Sequence, residues 1–164
     1  MPNLGWKNFR PLLWAALLGV AACSASLTPY LVLESGIDSG FRSAGPHFDV
    51  ITDPARFQEI FQAIHSNQLP APAPPQVDFK QSLVILATLE QKPTAGYYLR
   101  IKRVSQSQRT LRVEIQVKRP QPDQLLATVT TRPYIMIRVP KNSIDTVQFI
   151  GERQEVLRTI SLQL

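Results

Sequence analysis

The chain has 164 residues, a formal net charge of +6 and a single cysteine. That length suits one domain of ordinary size with a single buried core, and one thiol excludes an internal disulfide. The basic excess is modest: it suits anionic headgroups or an acidic partner, and it is too weak to point to nucleic acid.

In chain order, the first feature is a basic start at Lys7 and Arg10, followed by the apolar run from Pro11 to Ala22. A charged start, a short apolar stretch and small residues before a cleavage point make a secretory signal. The run spans about a dozen residues, short of the roughly 20 that a membrane-spanning helix needs. The tetrad Val20-Ala21-Ala22-Cys23 resembles a bacterial lipobox, in which the cysteine is fatty-acylated and becomes the mature N-terminus. The resemblance implies a signal over 1–22, a membrane anchor at Cys23 and a place in the bacterial cell envelope. Ser24, standing where an aspartate usually retains lipoproteins at the inner membrane, favours the outer membrane where the host has one. Removing 1–22 takes two positive charges and no acid, so +6 becomes +4.

Residues 23–46 are rich in Ser, Gly and Pro and read as a flexible tether, with room for a short strand at Tyr30–Leu33. One domain is expected over 47–164. A strand at Phe48–Ile51 leads into a helix near residues 53–66. Thr52 or Asp53 can cap that helix, Pro54 fits its first position, and Phe57, Ile60, Phe61 and Ile64 recur at helical spacing. Four prolines between Pro70 and Pro75 then force an extended connection.

From Val77 onward the pattern is β. The continuous apolar run Leu83–Leu89 predicts a central strand covered on both faces. Tyr97, Leu99 and Ile101, then Leu111, Val113, Ile115 and Val117, alternate with polar residues, and a polar connection around Ser105–Thr110 predicts an antiparallel hairpin. Ile135, Ile137 and Val139 form another inward set, and strands are expected at Val147–Ile150 and Val156–Leu162. The fold class is α+β: an antiparallel sheet or small sandwich with one packed helix.

Catalytic chemistry has little to draw on. His47 and His65 are not spaced as metal ligands, no nucleophile elbow or phosphate loop is present, and the acids are scattered singly. No enzyme, cofactor or metal is expected. His65, near a helix end, reads as an ordinary dipole contact. Two segments do stand out: Lys92-Pro93-Thr94-Ala95-Gly96-Tyr97, and Thr130-Thr131-Arg132-Pro133-Tyr134. Each reads as tight-turn chemistry that delivers aromatic residues into a strand. Rigid turns bearing Arg and Tyr also make good anchors for a protein partner.

Together with Val77-Asp78-Phe79 and Val139-Pro140-Lys141, these segments resemble the C-terminal domain of the PrcB family over residues 48–141. Its members are protease-complex subunits, often lipoproteins, named for a component that stabilises a secreted surface protease. Ala95 and Asp123 both stand where that family has glycine. The resemblance implies a non-catalytic subunit, with Lys92, Pro93, Thr94, Gly96, Tyr97, Arg132, Pro133 and Tyr134 facing a partner protein, an exported protease among the candidates. The same loops are similar, more weakly, to the outer loops of chagasin-like protease inhibitors, which would put Thr94 at an inserted tip. A third reading is structural work in the envelope, with Arg100, Lys102, Arg112 and Lys118 resting on anionic lipid.

Overall fold

The computed structural model describes residues 25–162. The signal, Cys23 and Ser24 lie outside the described residues. Among the described residues, nine strands and one helix are formed: β1 (Ser26–Leu27), β2 (Leu31–Gly36), β3 (His47–Ile51), α1 (Pro54–Ile64), β4 (Ser82–Thr88), β5 (Tyr98–Ser107), β6 (Thr110–Lys118), β7 (Tyr134–Pro140), β8 (Thr146–Ile150) and β9 (Val156–Ser161). They build two sheets, one ordered β2-β7-β4-β3 and the other β1-β5-β6-β8-β9. Packed face to face, with α1 on the outside of the four-stranded sheet, they make the small sandwich with one helix that the sequence predicts.

Strand β4 explains the layering. Leu83, Ile85 and Ala87 point into the space between the sheets, beside Ile135, Ile137 and Val139 of β7 and Leu111, Val113 and Phe149 of the opposite sheet. Val84 and Leu86 point the other way, onto Phe57, Ile60, Phe61 and Ile64 of α1. A strand buried on both faces has no polar side to show, hence its continuous apolar run. Burying each of those helix side chains is worth about 1.5–3 kcal/mol. At the helix start, Asp53 accepts a hydrogen bond from the Arg56 amide at 2.9 Å and Pro54 occupies the first turn. The five-stranded sheet has one face in solvent, and β6 accordingly alternates between buried Leu111, Val113 and Ile115 and more exposed Arg112, Glu114 and Gln116.

Three expectations need correction. Residues 26–36 are not a tether: β1 pairs with β5 through Ser26↔Gln106 and Leu27↔Ser105, and β2 pairs with β7 along its length. The short strand expected at Tyr30–Leu33 is formed as part of β2, which runs on to Gly36, and polar, glycine-containing composition concealed the rest of these edges, where one side of the ladder faces solvent. The sheets are also not purely antiparallel, because β6 and β8 pair in parallel. Between them the chain crosses to the other sheet as β7, and that crossover lets β8 return in the same direction. Finally, the predicted connection at Ser105–Thr110 is much shorter. β5 continues to Ser107 and only Gln108 and Arg109 turn the chain, Gln108 with a positive φ of 53°.

Candidate functional site

The segments 92–97 and 130–134, separated by the 32 residues 98–129, meet at one end of the sandwich. Lys92 and Thr131 exchange two backbone hydrogen bonds, at 2.8 and 2.9 Å. The Leu89 amide donates to the Pro133 carbonyl at 2.9 Å, the Ala95 amide to Ala127 at 3.2 Å, and the Thr131 hydroxyl to the Thr94 carbonyl at 3.1 Å. These bonds turn two loops into one ridge. Gly96 holds the turn with φ 90°, and a Cβ there would lie 3.0 Å from Cβ of Pro120. The long connection 119–133 packs at that point.

Alternation along this short ladder sends side chains to two sides. Glu90 and Lys92 border a groove of about 790 Å³ whose floor includes Phe48, Leu89, Ile115 and Leu157. Gln91, Thr130 and Arg132 border a polar hollow of about 430 Å³ that also takes in Asp38, Arg42 and Asn67. The ridge therefore separates a groove with an apolar floor and a charged rim (Arg119, Glu152, Arg153 and Glu155) from a polar hollow. On the apolar side, the Lys92 ammonium bonds the Glu90 carboxylate, holding that carboxyl below its usual range, and sits 5.4 Å from the centre of the Tyr97 ring. On the polar side, the Arg132 guanidinium donates to Gln91 Oε1 at 2.7 Å, while its buried Nε has no partner among the described residues. Pro93 is exposed and Thr94 and Tyr97 are half-buried.

The last two residues of the second segment are not surface anchors. Pro133 is buried, and Tyr134 keeps only 3 % of its surface. Tyr134 donates its hydroxyl to Glu34 Oε1 at 2.8 Å, and His65 Nε2 lies 3.0 Å from the other oxygen of Glu34. The His65 ring stacks against Phe61, with centroids 4.3 Å apart, and its buried Nδ1 has no partner among the described residues. Burial, with Glu34 beside it, pushes the Tyr134 phenol up from its ordinary value. A Cβ on Gly36 would stand 2.6 Å from the Tyr134 ring, so glycine is needed for the ring to lie flat on β2. Glu34 thus ties the edge strand β2, the end of α1 and the start of β7 together. Its partners lie 31 and 100 residues away in the chain. No spacing rule reaches that far, and the helix-dipole reading of His65 missed the carboxylate.

This His–Glu–Tyr group is the first that a catalytic reading would consider. His65 and Tyr134 are buried, at 2 % and 3 % exposure, and only the Glu34 carboxylate, 28 % exposed, reaches solvent. Among the described residues, no three His, Cys, Asp or Glu side chains converge as metal ligands would, and no described helix is long and apolar enough to cross a membrane.

Comparison with known proteins gives one match. Residues 83–140 match the family model described as PrcB C-terminal. No curated protein and no solved structure matches significantly. The matched stretch runs from β4 to the end of β7, contributes strands to both sheets, and contains both halves of the ridge. Residues 83–140, about a third of the chain, are thus similar to the PrcB C-terminal family.

Proposed function

We propose that the protein is a non-catalytic binding subunit, held in a bacterial envelope by an acyl chain on Cys23, whose ridge at 90–97 and 126–132 docks a partner protein. The carrying observation is the ridge itself: two loops locked by backbone hydrogen bonds between a groove of apolar floor and charged rim and a polar hollow. Loops fixed in this way lose little freedom on docking, so contact energy goes into affinity. Exposed Leu125 and Val129 beside the ridge add apolar surface of the kind found at interface centres. Similarity to that family favours a protease-complex subunit, with an exported protease as the partner.

Two other readings are less well supported. A protease inhibitor would insert Thr94 into a cleft with Arg132, Pro133 and Tyr134 alongside, yet Thr94 is half-buried and Pro133 and Tyr134 are buried. Electrostatic docking of the β5–β6 face on lipid would need free cations there. Of the four named for it, Lys102 shares Glu114 with Arg103, at 3.7 and 3.8 Å, and Arg100 lies over the Tyr98 ring at 5.1 Å, so that reading would fall to Arg112 and Lys118.

The test is co-purification of the native lipoprotein from envelope extracts, with wild type beside Val129→Asp and Pro93→Asp, both at exposed positions. A stoichiometric partner lost from the ridge variants, while the fold is retained, is the expected result. A partner retained at wild-type level by both variants removes the ridge from the account.

A further inference from the structure

The ordered start of the chain has a consequence for how the anchored protein sits. Cys23 is two residues before Ala25, so its Cα lies within about 8 Å of the Ala25 Cα whatever conformation the link adopts. Ala25 leads directly into β1, which pairs antiparallel with the last residues of β5 through Ser26↔Gln106 and Leu27↔Ser105. Ser26 thus stands opposite a residue only two before the β5–β6 turn at Gln108 and Arg109.

Other bonds gather more turns at the same end. Gln106 Nε2 donates to the Asn142 carbonyl at 2.8 Å, the Asp145 amide to the Arg109 carbonyl at 2.8 Å, and the Lys141 amide to the Gln81 carbonyl at 2.8 Å. The ridge is at the far end of β5, since residues 92–97 feed into Tyr98. Ten residues of β5 separate the two ends, a length of about 30 Å at strand rise.

We infer that the lipid on Cys23 seats the 106–109 and 141–145 turns directly on the bilayer headgroups, and that β5 holds the ridge about 30 Å above them as a rigid spacer. This rests on the acylation proposed above. The short link alone sets the orientation, and the chemistry of this end agrees with it. This end carries Lys80, Arg109 and Lys141 against Asp78 and Asp145, the last paired with Arg109, a small positive excess where each cation close to an anionic surface gains about 1 kcal/mol, and Leu27, 76 % exposed, lies beside the entry point. The occupant of this surface is therefore membrane lipid. Partner protein takes the opposite end.

The test uses the full acylated chain in vesicles of mixed zwitterionic and anionic lipid. Cys23 is the only native cysteine and is blocked by its own modification, so Asn142→Cys and Leu125→Cys can each carry one fluorophore. Lipids bearing a headgroup quencher should quench the label at 142 several-fold more than the label at 125. Inserting a 20-residue Gly/Ser linker after Ser24 should shrink that contrast. Equal quenching at the two sites, or stronger quenching at 125, overturns the orientation. Intact mass of the vesicle-bound wild type tells the two claims apart: absence of acyl mass refutes the anchor and with it this inference, whereas acyl mass with equal quenching refutes the orientation alone.

Discussion

The two tyrosine-bearing turns look alike in sequence and do opposite work in the structure. Pro93-Thr94-Ala95-Gly96-Tyr97 keeps its proline exposed and its tyrosine half-buried under the Lys92 ammonium. Arg132-Pro133-Tyr134 buries proline and tyrosine, and spends the tyrosine hydroxyl on Glu34. The difference arises from what lies behind each turn. Tyr97 precedes β5, at the open end of the five-stranded sheet. Tyr134 opens β7, an interior strand that α1 covers, so its ring has no route to solvent. Residue type proposes an anchor, and the layer behind it decides whether the anchor is available.

Truncation should separate the two turns most sharply. Tyr134→Ala should cost about 3–5 kcal/mol of stability, the range for emptying a buried aromatic site, read as a lowered urea midpoint at unchanged slope. Gly36→Ala should follow, at about 1–3 kcal/mol, because its new methyl meets the Tyr134 ring and the core must shift to admit it. A Gly36→Ala protein of wild-type stability would mean that the ring does not lie where this packing puts it.

Tyr134→Phe tests the hydroxyl alone. Leaving the Glu34 oxygen without its donor should cost about 1–3 kcal/mol near neutral pH. The pH dependence has a definite sign. Burial raises the folded-state pKa of Tyr134 above its unfolded value, so the stability it contributes is fully present below about pH 10. That contribution is lost as pH rises beyond there, because the unfolded phenol ionises while the folded one resists. Urea titrations between pH 9 and 11 should show wild type losing stability and Tyr134→Phe losing less. Parallel curves would contradict the assignment.

The smallest effect belongs to the exposed turn. Pro93→Asp should leave stability within about 0.5 kcal/mol, as surface substitutions do, and should act on partner capture instead. A large loss of stability would show that the first turn is as structural as the second.

Legibility in the sequence followed the range of the interactions. The helix could be read because its cap, its proline and its apolar stripe lie within a dozen residues of one another. β4 and β6 could be read because continuous and alternating apolar patterns report directly whether one or both faces are covered. Edge strand β2 was harder: Ser35, Gly36 and Pro29 gave its surroundings the composition of a linker, while its pairing with β7 lies a hundred residues away. The parallel β6–β8 pair was likewise a matter of topology. Of the site, the two loops could be located but not their contact, since Lys92 and Thr131 pair through backbone atoms that side-chain identity does not report. The Glu34–His65–Tyr134 tie gave no local sign at all.

Site-specific photo-crosslinking in the intact envelope tests the central claim most directly, with the crosslinker placed in turn at Pro93 on the ridge and at Asn142 on the opposite end. The account predicts a discrete protein adduct from position 93, identifiable by mass spectrometry as an exported protein, and lipid adducts without that protein from position 142. The same protein captured equally from both ends, or captured from 142 alone, would contradict it.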